Sequence, residues 1–179
     1  MACYDYTTAR LVSQTPVEMI LAGDSATQMM FGYDSTLHAT MDFMVMITAA
    51  VRRGAPGVYL IGDMPFLSYH VTVPEAIRNA GRFLTDAGAQ LVKMEVTEAH
   101  VGTVKAVNDA GIATMAHIGI RPQRISAVGR LRAEATTAEV AVQLTSLAAC
   151  LVEPAPARCS SRALPPKLPR LSRKDRRSR

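Results

Sequence analysis

Hydrophobic and polar positions along this chain follow two alternating patterns. Short apolar runs close on polar groups, and the longer stretches between them carry helical spacing. Val17-Glu-Met-Ile-Leu-Ala-Gly-Asp-Ser25 comes first, a strand that runs into Gly23 and finishes on Asp24 and Ser25. Val58-Tyr-Leu-Ile-Gly-Asp63, Ala89-Gln-Leu-Val-Lys-Met-Glu95 and Ile112-Ala-Thr-Met-Ala-His117 repeat the pattern. Apolar runs of this length, bounded by glycine and polar residues, are strand signals.

The intervening stretches predict helices. Thr7–Gln14 reads as a short one with Thr7 as N-cap. Asp42–Arg53 ends in two arginines with Gly54 just past it, as the helix dipole and a C-cap favour. Thr72-Val-Pro-Glu75 has capping-box spacing, and Pro74 falls in the first turn, where its missing N–H costs little. That helix ends in Asp86-Ala-Gly-Ala89, and the one opening at Thr97-Glu98 ends in Asp109-Ala-Gly-Ile112. Both pass straight into an apolar run, so Gly88 and Gly111 are expected in the left-handed conformation that stops a helix. Residues 24–40 read as a polar, glycine-containing loop long enough to be functional. Ala2–Tyr6 reads as the end of a further strand, and Thr136–Val152 as a last helix. Repeated β–α units predict a parallel sheet with right-handed crossovers, either a barrel or doubly wound. Either brings the four polar strand ends to one face.

Composition narrows the setting. A chain of 179 residues is one domain by length, with a sizeable core. Its 49% apolar content, with 5% aromatics and no Trp, suits a Val, Ile, Leu, Ala and Met interior. Cys3, Cys150 and Cys159 are odd in number and lack Cys-x-x-Cys spacing, so neither a disulfide framework nor a zinc site is indicated. No apolar run reaches membrane-spanning length and the N-terminus lacks a signal-peptide layout; a cytoplasmic protein with no membrane partner is expected. The net charge of +5 is uneven: Pro154–Arg179 holds nine Lys/Arg and one acid, +8, which leaves residues 1–153 at −3. The domain plan is therefore a folded body, 1–153, and a disordered Pro/Arg-rich tail, 154–179. A shifted reading frame in GC-rich DNA would produce such a run, and that origin is preferred over a nucleic-acid or membrane-surface tail.

Seven stretches in register point to a family: Tyr4-Asp-Tyr6, Gly23-Asp-Ser25, Gly32-Tyr-Asp-Ser-Thr-Leu37, Ala49-Ala-Val-Arg-Arg-Gly-Ala-Pro56, Asp63-Met-Pro-Phe66, Val92-Lys-Met-Glu95 and His117-Ile-Gly-Ile-Arg-Pro-Gln123. Through them the chain, over roughly residues 2–150, resembles ketopantoate hydroxymethyltransferase (3-methyl-2-oxobutanoate hydroxymethyltransferase). These are (β/α)8 TIM-barrel enzymes of pantothenate biosynthesis. The resemblance implies an α/β fold with about five of the eight βα units in this chain and the barrel unclosed. It implies Mg2+ held by Asp24, Asp63 and Glu95, with Ser25, Asp63, Lys93 and His117 contacting the 2-oxo acid. It also implies 5,10-methylenetetrahydrofolate as co-substrate, a homo-oligomer in the full-length family and no nucleic-acid partner. No catalytic base is assigned, because the family's general-base glutamate lies past the matched stretches; Glu153 is not that residue.

The chain departs from the family at three places. Ala26-Thr27 replaces Leu-Gly, Val96-Thr97 replaces Gly-Gly, and Ala127–Ala135 replaces a Gly-rich loop. A chain of this form is expected to bind metal and oxo acid poorly and to turn over slowly or not at all. Two alternatives stand beside this reading. One is a non-catalytic remnant that associates with a full-length paralogue; the other is a Mg-dependent C–C lyase of the phosphoenolpyruvate/pyruvate barrels. Residue by residue, simpler roles exist too. Asp24, Asp63 or Ser25 alone could cap a turn, Lys93 could pair with Glu95, and His117 could be a core histidine. His38, His70 and His100 read as surface or loop residues, and Met41–Met46 as core packing.

Overall fold

The computed structural model describes residues 1–124 and 137–152. The basic tail and the altered stretch Ala127–Ala135 lie outside the described residues. Four strands, β1 (Met19–Ala22), β2 (Tyr59–Asp63), β3 (Leu91–Glu95) and β4 (Thr114–His117), form one sheet. Every pairing is parallel, and neighbours in space are neighbours in sequence. Unbroken chain order is what a barrel arc requires, whereas a doubly wound sheet reverses at a switch point. The chain start adds one rung: Ala2 bridges Leu21 in parallel, with Cys3 N–H donating to Leu21 O and Leu21 N–H to Met1 O. The strand end read at Ala2–Tyr6 is this single bridge. Among the described residues, then, the expected five units comprise four strands and a rung.

Among the described residues the helices are α1 (Tyr6–Val12), α2 (Ala26–Phe31), α3 (Met41–Gly54), α4 (Val73–Thr85), α5 (Val101–Asp109) and α6 (Ala138–Val152). Strand residues Ile20, Ala22, Leu60, Val92 and Met94 meet Met44, Ile47 and Val51 of α3, Ala76, Ala80 and Phe83 of α4, and Val104 and Val107 of α5 in one buried core. In α3 the buried positions fall at i, i+3, i+4 and i+7, the stripe of an amphipathic helix. Met46 lies off that stripe and is exposed, so the Met41–Met46 run is core only in part. Phe83 packs so closely on β2 that a Cβ at Gly62 would overlap its ring.

Local chemistry moved several expected boundaries. Asp5, not Thr7, caps α1: its carboxylate takes the Thr8 N–H at 2.8 Å and the Thr8 hydroxyl at 2.7 Å. Two carboxylate oxygens serve two donors where a threonine would serve one. The stretch 24–40 is not simply a loop; it holds α2 and a 3-10 turn, Thr36–His38. Six residues with Met29, Met30 and Phe31 all exposed give no one-sided apolar stripe, which is why α2 was not read from the sequence. Thr72 caps α4 through the Glu75 N–H, and Gly88 and Gly111 take positive φ as expected. At Thr97 the capping box is closed by His100, whose Nδ1 accepts the Thr97 N–H at 3.1 Å. His100 and His70 are accordingly not free surface histidines; they pack on each other and on Tyr69.

At the N-terminal ends of the strands Arg52 gathers two turns. Its guanidinium donates to the carbonyls of Gly88 (2.9 Å), Ala55 (3.2 Å), Pro56 (3.1 Å) and Val58 (2.9 Å), and to the Gln90 side chain. Cys3 is a buried free thiol. Among the described residues no helix is long and apolar enough to cross a membrane.

Candidate functional site

The parallel register carries the four polar strand ends to one face. β1 and β2 pair Ala22 with Gly62, so Asp24 follows β1 as Asp63 closes β2. β2 and β3 pair Asp63 with Lys93, and β3 and β4 pair Glu95 with His117. Asp24, Asp63 and Glu95 are 4%, 1% and 3% exposed, so three acids sit in the interior with one nearby ammonium. Lys93 Nζ holds both oxygens of Asp63, at 2.9 and 2.8 Å. Its partner is therefore Asp63, and the simpler pairing with Glu95 does not occur. The Asp24 N–H also donates to Asp63 Oδ2 at 3.2 Å.

Burial sets the electrostatics of the two aspartates, and the acids in turn set that of Lys93. Burial pushes Asp63 up to about 7 against the pull of Lys93, with Asp24 adding to the rise. Burial likewise raises Asp24, opposed by the Gln123 hydrogen bond and Lys93. Burial would lower Lys93, but the charges of Asp63, Asp24 and Glu95 outweigh it and keep the ammonium above its ordinary value. All three groups hold their protons more tightly than usual, the two aspartates because they are buried and Lys93 because acids surround it.

The remaining expected residues take distinct places. Ser25 sits at the N-cap position of α2 yet makes no capping hydrogen bond; its Oγ lies 3.0 Å from Tyr4 Oη. A Cβ at Gly23 would stand 3.1 Å from Ser25 Oγ and 3.7 Å from Asp63 Oδ2, so glycine keeps that corner open. His117 is no core histidine. Its side chain is about one-third exposed, with Nδ1 3.7 Å from Glu95 Oε1.

Gln123 carries the connections that sequence reasoning missed. It is 2% exposed, in the 3-10 turn Pro122–Arg124 beyond β4. Its Nε2 donates to Asp24 Oδ2 and to Met64 O, both at 2.9 Å, and its N–H donates to Glu95 Oε2 at 3.1 Å. Its Oε1 accepts from Tyr69 Oη at 2.9 Å, and Tyr69 Oη itself accepts the Glu95 N–H at 3.1 Å. The only sequence signal was that Gln123 closes the motif beginning at His117. Tyr69 rides on the loop after β2, where Leu67 takes φ +66, a left-handed conformation that is strained for a branched side chain.

A hard divalent cation suits this donor set in charge and chemistry. Three buried carboxylates face one ammonium, and Glu95 Oε1 is buried without a hydrogen-bond partner. Among the described residues, however, no three His, Cys, Asp or Glu side chains form a ready-made metal cage. Mg2+ does not require one, since it is commonly held by one or two carboxylates and keeps several waters.

A parallel β/α arc with acids at the carboxyl ends of its strands is the layout of barrel enzymes, which work at that face. Solved structures agree on the fold. A phosphonopyruvate hydrolase complexed with oxalate and Mg2+ matches with TM-score 0.56 at 16% identity, covering 65% of this chain and 45% of the other. A 2,3-dimethylmalate lyase of the PEP mutase/isocitrate lyase superfamily matches with TM-score 0.55 at 15% identity, covering 72% and 49%. Sequence comparison reaches further. The ketopantoate hydroxymethyltransferase family model matches residues 1–155, and the chain belongs to that family. The 3-methyl-2-oxobutanoate hydroxymethyltransferase of Geobacillus thermodenitrificans is 42% identical over 144 residues, covering 80% of this chain and 52% of the relative. That of Syntrophomonas wolfei is 42% identical over 151 residues, covering 84% and 55%. The chain thus spans about half the length of the curated relatives it matches.

Proposed function

We propose that this site serves the transfer of a hydroxymethyl group from 5,10-methylenetetrahydrofolate to 3-methyl-2-oxobutanoate, giving 2-dehydropantoate. In that reaction C3 of the oxo acid loses its proton and gains a C–C bond to the one-carbon unit. Water supplies the new hydroxyl, and tetrahydrofolate leaves. The observation that carries the reading is the excess of buried carboxylate over cation where β1, β2 and β3 end, with one Glu95 oxygen lacking a hydrogen bond. Family membership supports it. The identities of 14–16% to lyases and hydrolases speak for fold alone, so no observation favours the C–C lyase reading.

In this proposal Asp24, Asp63 and Glu95 would hold Mg2+, which when bound supplies Lewis-acid polarisation of the 2-oxo acid. Lys93 remains an ammonium because three acids surround it, and it offers a fixed positive charge to the substrate's oxygens. Ser25 Oγ, unused as a cap and oriented by Tyr4, offers a hydroxyl at the mouth of the cluster. His117, partly exposed beside Glu95, stands where an incoming molecule meets the site. None of the described residues is assigned the abstraction of the C3 proton, and turnover is accordingly expected to be slow. A folded unit over 1–153 followed by a tail from 154 belongs to the same proposal; the family match ending at residue 155 supports it.

The test is binding of 3-methyl-2-oxobutanoate to the 179-residue chain, followed by line broadening of its methyl proton signals. Broadening is expected with Mg2+, should vanish with a chelator, and should be absent in Asp24→Asn. Slow formation of 2-dehydropantoate on adding the folate is the second readout. No metal-dependent binding of the oxo acid would overturn the proposal.

A further inference from the structure

Gln123 touches two of the three acids, and it uses one oxygen of each. Nε2 takes Asp24 Oδ2 and the backbone N–H takes Glu95 Oε2. Glu95 Oε1 is left over, a buried atom with no hydrogen-bond partner that lies 3.7 Å from His117 Nδ1, while Asp24 also faces the Thr36 hydroxyl. The amide cannot be reversed without loss. Tyr69 Oη approaches Oε1 at 2.9 Å, while Met64 O and Asp24 Oδ2 both need a donor at Nε2. Tyr69 is fixed in turn by the Glu95 N–H, so one hydrogen-bonded circuit joins the ends of β1, β2 and β3 to the turn after β4. Buried carboxylates held this way each present a chosen oxygen, and such outer partners orient ligands that bind metal.

On this basis, and resting on the metal reading above, we infer that Gln123 is a positioning residue. It holds Asp24 and Glu95 by one oxygen each so that the other oxygen of each serves a divalent cation, with Met64 O, Asp24 and Tyr69 together fixing the orientation of its amide. The role acts through the carboxylates; Gln123 itself is not assigned a contact with metal or substrate.

The experiment is Mn2+ binding to the 179-residue chain, with free Mn2+ read by electron paramagnetic resonance. Asp24→Asn tests the metal reading, and Gln123→Met tests the inference, since methionine keeps the side chain's length and apolar bulk without its polar contacts. Gln123→Met is expected to weaken Mn2+ about 10- to 100-fold, the usual loss when an outer partner of a ligand is removed. Tyr69→Phe, which deletes only the hydroxyl and so one neutral hydrogen bond to the amide, should shift affinity in the same direction by about 3- to 10-fold. Arg52→Ala is the control for a merely structural effect, because it loosens the opposite end of the sheet and should leave affinity within about twofold. Wild-type binding with Gln123→Met within about twofold of it overturns the inference and leaves the metal reading standing. No binding by the wild type, or full binding by Asp24→Asn, overturns the metal reading and the inference together. Should Gln123→Met not fold, Tyr69→Phe decides, and an unchanged affinity there overturns the inference.

Discussion

The two ends of the parallel sheet are held by opposite means. At the N-terminal ends one cation, Arg52, meets neutral carbonyls from two turns and the Gln90 amide, and Gln90 Oε1 also takes the Leu60 N–H at 2.8 Å. At the C-terminal ends three buried acids share one ammonium, and an acid oxygen stays without a hydrogen bond. Both ends staple neighbouring β–α units with a long polar side chain, Arg52 below and Gln123 above. The lower staple fills its hydrogen bonds with neutral partners, so its effect is stability. The upper one leaves charge unmatched, and unmatched buried charge has a use only if something else binds there.

Breaking the upper pair should give the largest effect. Lys93→Met strands Asp63 in the interior, and removing one partner of a buried pair costs about 3–5 kcal/mol. Urea denaturation at pH 8 should show a loss of about 3 kcal/mol, the lower end of that range, because Asp63 can take up a proton. Adding Asp63→Leu should recover most of it; a loss under about 1 kcal/mol would mean that the pair is not buried as described. The lower end should yield next. Arg52→Ala removes charge-assisted bonds worth about 1.5–3 kcal/mol, and a fall of about 2 kcal/mol is expected because several of them face solvent. Parity of the two losses would erase the contrast. The smallest effect concerns His70, beside the upper end. Burial, then the neighbouring His100, lowers its pKa from 6.5 to about 4, with Glu95 pulling the other way. The folded chain keeps His70 neutral while the unfolded chain protonates it, so its contribution is present above about pH 6.5 and lost as pH falls toward 4. Thermal midpoints measured from pH 7 to pH 4 should fall less steeply in His70→Gln.

Much of the lower-order architecture could be read from the sequence, because the signals are local. An apolar run closing on Gly-Asp or Lys-Met-Glu marks a strand end, and Asp-Ala-Gly marks a helix stop whose glycine needs positive φ. The repeat left strand order open between a barrel and a doubly wound sheet, yet either brings Asp24, Asp63, Glu95 and His117 to one face, and the structure supplies the order. Partner choice was not legible. Lys93 is two residues from Glu95 on the same strand yet binds Asp63 across the sheet, because the parallel register sets Asp63 directly opposite. Gln123 showed least of all. A glutamine in a turn after a strand has many uses, and only the fold reveals that its amide reaches Asp24. His100 capping Thr97 belongs to the same class, since a histidine is an uncommon closer of a capping box.

The Asp24–Gln123 hydrogen bond spans 99 residues of chain, whereas the Lys93–Asp63 contact spans 30. Closing the longer loop comes at the greater entropic cost, and the contact is made only once the turn after β4 has reached the end of β1. The carboxylate cluster is therefore a reporter of completed assembly: the end of β1 acquires its final partner only when the turn after β4 arrives. A cation that prefers the completed cluster would stabilise the whole arc from its last-formed corner, and its binding would track the fraction of molecules that have finished folding.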